Sequence, residues 1–390
     1  MTYVRDSASL KELCLTLKRN SIDRIGIDTE FIRKRTYYPS LCLIQIIYRE
    51  DVKDGTYRKF AVDILDKNMD VTPLLSILKS KKIKKIMHSG EQDIDALQFF
   101  GRMDVNNIED TQIMAEFCGY RSNMGYAAAV KAILNIDFTK NKSAQISNWE
   151  KRPLTKKQLE YAYGDVEYLL ELYDVLYRKI KDCGNYDFYR NEIRYVQQSR
   201  RPEQLAANSW KKLKPKIHGK YVSYVLLIKN LTSWREVKAI ENNKPRNQIL
   251  RDESIRNIAR IKPKTIAELR NIYKNNREIL NIKKSYKNDI VEIVSKFVCQ
   301  DKYVNQLYYV SEKQFIHRDI LDYLYSKIYK ISTDTHININ RILNKMDIIS
   351  LMMDYEAMEN IVYGWKHKLL KDILPEFGNL YKIPQTFAVE

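Results

Sequence analysis

The chain has little of what staples or extends unusual folds. Its five cysteines, Cys14, Cys42, Cys118, Cys183 and Cys299, stand singly. No two have Cys-x-x-Cys spacing and the count is odd, which excludes a zinc cluster of that kind, a redox pair or a disulfide framework. Buried, reduced thiols are the expectation, and they suit a cytoplasmic location. Eleven glycines and nine prolines in 390 residues are too few for collagen-like or low-complexity sequence. No apolar stretch approaches the length of a membrane span, so no membrane partner is expected. No basic run followed by an apolar segment opens the chain, so no secretory leader is expected either.

What is present is a globular composition of 44% apolar and 30% charged residues, long enough for two or three domains. The net charge of +18 points to an anionic partner. Its distribution says more than its total. Residues 1–200 carry 33 basic and 28 acidic side chains, whereas residues 201–390 carry 34 and 21. A general bias toward lysine would raise both halves alike. The asymmetry implies an acidic-centred front half and a polyanion-binding rear half.

Hydrophobic periodicity places a capped helix from Ser9 to about Arg19, then strands at Arg24–Asp28, Leu41–Tyr48 and Tyr57–Ile64, the last two joined by a turn at Asp54-Gly55. A helix over Val71–Leu78, a strand over Ile83–Met87 and a helix over Gln92–Phe100 follow, then helices over Gly125–Leu134 and Thr155–Lys179. This order makes a mixed sheet flanked by helices. A linker is expected around Pro202. Beyond it the periodicity is helical throughout, in two stretches of similar length.

Three short motifs carry acids. Asp28 and Glu30 end an apolar strand, where residues two apart share a face and repel unless a cation or water sits between them. Asp93 opens a helix just after His88 and the fourth strand; an acid there also simply complements the helix dipole, and His88 reads as a satisfied histidine at a strand end in preference to a metal ligand. Tyr161 and Asp165 lie four apart, on one helix face. Four carboxylates of this kind suit two divalent cations, Mg²⁺ or Mn²⁺, that clamp an in-line phosphoryl displacement.

In order, Ile27-Asp28-Thr29-Glu30-Phe31, Tyr38-Pro39-Ser40-Leu41-Cys42-Leu43-Ile44-Gln45, His88-Ser89-Gly90-Glu91-Gln92-Asp93, Asp110-Thr111-Gln112, Trp149 with Arg152-Pro153-Leu154, and Leu159-Glu160-Tyr161-Ala162-Tyr163-Gly164-Asp165 resemble the ribonuclease D family of DEDD 3′–5′ exonucleases, tyrosine subgroup. The resemblance runs over residues 1–205. Thr232-Ser233-Trp234-Arg235-Glu236, Pro245-Arg246-Asn247 and Ile261–Leu269 resemble the helical HRDC module, and Gly364-Trp365-Lys366 resembles a looser second copy. The resemblance implies an α/β RNase H-like exonuclease domain over 1–205, followed by all-α HRDC-type domains over 208–290 and 300–385. It implies metal ligands Asp28, Glu30, Asp93 and Asp165, with Asp28 shared between two ions and Glu30 beside the attacking water. Tyr161 would orient that water, and Thr29, Phe31 and His88 would contact the terminal nucleotide. The implied substrate is RNA with a free 3′ end, above all transfer RNA precursors, cut to 5′-mononucleotides with no obligate protein partner. A DNA-directed exonuclease with the same site and an inactive RNA-binding protein are the rival readings; all four carboxylates are present, which weighs against the second.

Two basic clusters stand apart from these motifs. Lys81-Lys82-Ile83-Lys84-Lys85 reads as a solvated turn entering a strand. Lys211-Lys212-Leu213-Lys214-Pro215-Lys216, with Trp210, His218 and Tyr221 nearby, alternates cations with stacking residues and is the better candidate for single-stranded RNA.

Overall fold

The structure is a computed structural model. It describes residues 1–19, 22–33, 35–50, 55–66, 68–138, 147–199, 202–213, 222–272, 283–297, 317–344, 347–348, 351 and 361–376. The chain forms two compact units. Unit 1 comprises residues 1–34, 38–196 and 332–342; unit 2 comprises residues 35–37, 197–331 and 343–390.

Unit 1 is built on a six-stranded sheet: β1 (Thr2–Val4), β2 (Arg24–Ile32), β3 (Ser40–Arg49), β4 (Tyr57–Asp63), β5 (Lys84–Met87) and β6 (Ile108–Asp110), in the spatial order β1-β4-β3-β2-β5-β6. β3 runs antiparallel to both β2 and β4, while β1 pairs parallel with β4, β5 parallel with β2, and β6 parallel with β5. β3 is buried along almost its whole length, which is why its sequence is a nearly unbroken apolar run instead of an alternation. The expected turn residue Asp54 lies outside the described residues. β1 and β6, three residues each, are too short to show a period and were not anticipated.

Helix α1 (Ser7–Arg19) starts before Ser9 because Asp6, not Ser9, is its cap: the Asp6 carboxylate accepts the backbone N–H and the hydroxyl of Ser9. α2 (Thr72–Lys79) and α3 (Glu91–Gly101) appear as expected, and α4 (Thr111–Glu116) is an addition. α5 (Tyr126–Ala129) runs into a π turn over Val130–Leu134. The single helix expected over Thr155–Lys179 is two, α6 (Lys156–Val166) and α7 (Leu169–Asp182). Thr155 and Gln158 form a capping box at the start of α6. The break lets α7 turn down onto the sheet, where Leu169 packs on Gly26. A Cβ at Gly26 would lie 2.5 Å from Ile47 Cγ2 and 3.2 Å from Leu169 Cδ2, so only glycine admits this approach. α8 (Tyr186–Ser199) completes the front layer.

In unit 2, residues around Pro202 form a helix, Pro202–Asn208, and not a linker; proline at the first helical position lacks only an N–H that would be unpaired anyway. Helices Val222–Glu241, Asp252–Ile261, Ile266–Asn271 and Lys284–Lys296 pack Leu227, Ile228, Leu231, Ile255, Ile258, Leu269 and Ile290 into one core. Trp210 packs against this core, so it serves the fold of the module; Lys214, Pro215, Lys216, His218 and Tyr221 lie outside the described residues. Arg235, buried, donates to Leu250 O at 2.9 Å and to Asp252 Oδ1 at 2.6 Å. Tyr37 joins this unit: its hydroxyl donates to buried Glu236, which also holds Arg246. Further along, His317–Thr335 is a long helix and Trp365 is buried at the start of Trp365–Leu370. No helix among the described residues is long and apolar enough to cross a membrane.

The Lys81–Lys85 cluster divides. Lys81 and Lys82 are exposed, but Lys85 is fully buried, its ammonium donating to the carbonyls of Ile77, Ser80 and Ile83 at 3.4, 2.5 and 2.8 Å. It caps the carboxyl end of α2 and ties it to β5. Burial pushes this amine down to about 7. The folded protein thus releases the Lys85 proton at lower pH than the unfolded chain does. The unfolded state binds more protons between about pH 7 and 10.4, and stability from this group rises with pH across that window. Lys85→Met is expected to cost about 1–3 kcal/mol by orphaning buried carbonyls and to flatten that rise. Urea unfolding of both proteins between pH 6.5 and 9.5 checks both effects.

Candidate active site

The site is assembled by three elements of unit 1. β2 carries Asp28 and Glu30, paired across to Gln45 and Leu43 of β3. Immediately after Glu30 the pairing slips at a β-bulge, which re-aims the rest of the strand. α6 crosses over this end of the sheet and delivers Asp165, while Tyr161 one turn earlier lies half-buried on the same side. Ligand atoms of Asp28, Glu30 and Asp165 all lie within 4.8 Å of one another. Three carboxylates at that spacing repel, and their oxygens are the donor set that hard divalent cations prefer, so the residues fit such an ion.

Asp93 comes from the first turn of α3. It is buried at 8% exposure and accepts a short hydrogen bond from the Thr29 hydroxyl. Burial, and next the Asp28 carboxylate, push its carboxyl well above the usual carboxylate range. The loop ahead of it is clamped from β6. The Asp110 carboxylate accepts the backbone N–H groups of Ser89 at 3.1 Å and Gly90 at 2.8 Å, besides capping α4 through Gln112 and Ile113. Ser89 is left-handed, at φ 60°, and Asp110 holds it there.

Tyr161 has its phenol pushed up by burial and by the Glu30 and Asp28 carboxylates, so it remains a neutral donor beside them. Its ring lies 6.2 Å from that of Trp149. The three residues expected to touch substrate are placed unevenly. Phe31 is half-buried against the front core with the Arg33 guanidinium over its ring. Thr29 spends its hydroxyl on Asp93. His88 lies between Thr111 Oγ1 and the Met124 carbonyl, 2.9 Å from each, its ring nitrogens directed into the protein.

The 3′–5′ exonuclease family model matches residues 1–181, and the HRDC domain model matches residues 226–292. The front domain belongs to the 3′–5′ exonuclease family. Its curated relatives include Ribonuclease D of Bartonella henselae, 32% identical over 261 residues, 67% of this chain and 61% of the relative. Ribonuclease D of Zymomonas mobilis is 34% identical over 268 residues, 68% of this chain and 65% of the relative. The matched chain thus spans somewhat under two thirds of these relatives. The crystal structure of Escherichia coli RNase D shares the fold, with a TM-score of 0.71 and 24% identity over 99% of this chain and 100% of that one.

The exonuclease domain also carries supports that sequence alone did not single out. Arg152 grips Asp63 with two nitrogens and donates to the carbonyls of Cys42 and Trp149. Tyr3 donates to the same carboxylate. This network pins the Trp149–Pro153 segment to β3 and β4 and so seats the ring beside Tyr161. Gln45, directly across from Asp28, is fully buried with its amide unpaired among the described residues. Asp110 and Arg152 had been visible only as members of a motif; their partners, tens of residues away, carry the reason.

Metal binding to the three-carboxylate cluster is expected to stabilise the fold. At a hundredfold excess over Kd the gain is about 2.7 kcal/mol, or several degrees in Tm. Asp28→Asn should remove most of that rise in thermal melts taken with and without Mg²⁺.

Proposed function

We propose that this protein is a 3′–5′ exoribonuclease of the ribonuclease D kind, trimming the 3′ ends of transfer RNA precursors and other RNAs in the cytoplasm and releasing 5′-mononucleotides. The observation that carries the reading is the convergence of Asp28, Glu30 and Asp165 within 4.8 Å, with the Tyr161 phenol facing the same acids. The basic, helical rear half and the HRDC match support an RNA substrate. The thiols of Cys14, Cys42, Cys118 and Cys183 are all free, which suits a reducing compartment. No obligate protein partner is part of the proposal.

In this reading Asp28, Glu30 and Asp165 hold two divalent ions, Mg²⁺ or Mn²⁺, with Asp93 supporting the second. Bound there, the ions supply positive charge to the attacking and leaving oxygens of an in-line displacement. The protein's own part is positional. Thr29 and Asp110 fix Asp93, and the β2 bulge fixes Phe31 at the edge of the site. Tyr161, kept protonated by burial and next by its acidic neighbours, donates to or accepts from the attacking water and aims it. Phe31, the backbone at Thr29 and the His88 loop receive the terminal nucleotide.

The deciding experiment is digestion of a 3′-tailed precursor RNA, resolved nucleotide by nucleotide, with and without Mg²⁺ or Mn²⁺. Single-nucleotide shortening from the 3′ end, lost in chelator, is expected; cleavage of a circular RNA contradicts the proposal. A matched DNA strand, degraded as fast, would replace the ribonuclease reading by a general exonuclease. Asp28→Asn and Asp165→Asn are expected to leave under about a thousandth of the rate with unchanged circular dichroism. Tyr161→Phe keeps the ring and removes one hydroxyl, and is expected to lower kcat by about 10²–10⁴-fold with little change in RNA affinity.

A further inference from the structure

Residues 332–342 are remote in sequence from the sheet, yet they are part of unit 1. Asn338 donates its backbone N–H to Glu116 O at 2.7 Å and its side-chain amide to Tyr120 O at 2.9 Å. Asn185, between α7 and α8, joins the Phe117 and Thr335 carbonyls, at 3.0 and 2.7 Å. Arg341 donates from Nε to Glu116 Oε2 at 2.5 Å and from Nη1 to Glu192 Oε1 at 3.1 Å. Glu116 and Glu192 are buried, and Arg341 is the cation that the structure sets between them. Gly119 is left-handed, at φ +83°, and a Cβ there would lie 3.2 Å from His336 O, so the segment lies close over the backbone that follows α4.

The contacts continue inward. The other Glu116 oxygen accepts the Asn123 N–H at 2.9 Å and the Ser122 hydroxyl at 3.1 Å. Asn123 is itself left-handed, at φ 53°, a conformation that this carboxylate holds in place. The next carbonyl, Met124 O, stands 2.9 Å from His88 Nε2 and accepts the Gln112 amide at 3.0 Å. A carbonyl only accepts, so its contact fixes hydrogen on Nε2. His88 Nδ1 faces Thr111 Oγ1, whose hydroxyl is 3.0 Å from Met87 O. Arg341, Glu116, the 122–124 turn and His88 thus form an unbroken line from residues 332–342, a strap over this unit, to the loop that leads into Asp93.

We propose that Arg341 is a positioning residue for the exonuclease site: acting through Glu116 and the Ser122–Met124 turn, it fixes the ring orientation and protonated nitrogen of His88. The exonuclease site is therefore completed by residues 332–342. Its consequence for RNA rests on the ribonuclease reading above, in which the His88 loop receives the terminal nucleotide; its structural content does not.

The test uses the full chain and reads His88 directly. With five histidines in the chain, the His88 ring signals in long-range ¹H–¹⁵N spectra are assigned by comparison with His88→Gln. The wild type is expected to show one fixed tautomer with a slowly exchanging Nε2–H. Arg341→Met should shift the ring signals and speed that exchange by about tenfold or more. Glu116→Gln, which keeps the shape and loses the ion pair, should act in the same direction and decides the matter if Arg341→Met does not fold. Arg24→Met breaks a different ion pair of the same unit, with Asp174, and should leave His88 unmoved. On single-stranded RNA, Arg341→Met should raise KM by about tenfold with kcat within about threefold. An unchanged His88 spectrum in a folded Arg341→Met or Glu116→Gln protein overturns the proposal, as does an equal change in Arg24→Met. Absence of any RNA cleavage by the wild type would overturn the ribonuclease reading and leave the spectral result to judge Arg341 alone.

Discussion

Mutual repulsion among carboxylates at one end of β2 is the constraint around which the front domain is arranged. Asp28, Glu30 and Asp165 stand within 4.8 Å of one another, and Asp93 is buried next to them. Burying like charges together is unfavourable unless opposite charge or hydrogen bonds compensate. Thr29 donates to Asp93, Asp110 holds the backbone that presents it, and Tyr161 stays protonated. Each neighbour either offers hydrogen or fixes a position. The residual negative potential is what a divalent cation would answer, and the sheet, α3 and α6 act as the rigid frame that keeps the acids from moving apart.

The same logic recurs wherever charge is buried. Glu236 in unit 2 lies under Arg246 and Tyr37, Arg235 caps its helix neighbours, and Lys85 sits in a cage of carbonyls. Arg235 and Lys85, both buried, spend their charge inside the protein. In the rear half, exposed residues such as Lys212 contribute to the positive surface, whereas buried Arg235 does not.

Local chemistry was legible in the sequence because it obeys short periods. Asp28 and Glu30 two apart on a strand, and Tyr161 and Asp165 four apart on a helix, could be placed on shared faces without knowing the fold. The central strand β3 was legible from its apolar run. What failed did so for want of local signal. β1 and β6 are shorter than one detectable period. The break between α6 and α7 has no proline to mark it; what accompanies it is the tertiary packing of Leu169 on Gly26. Lys85 looked like its solvated neighbours because burial against α2 is a tertiary fact. Trp210 looked like a stacking residue and packs in a core. Roles assigned to Thr29 and His88 by resemblance met hydrogen bonds that turn both side chains inward, which no spacing rule foretells.

The strap has a consequence in time. During synthesis Glu116 and Glu192 leave the ribosome 225 and 149 positions ahead of Arg341. At about 5–20 residues per second, the first of these acids waits roughly 10–45 s for its cation. For most of that interval, once Asp165 has followed, the sheet and the four carboxylates have emerged, but the segment that clamps the α4–α5 turn has not. A nascent chain of this protein therefore carries its exonuclease domain without the Arg341 clamp until every residue through Arg341 has emerged.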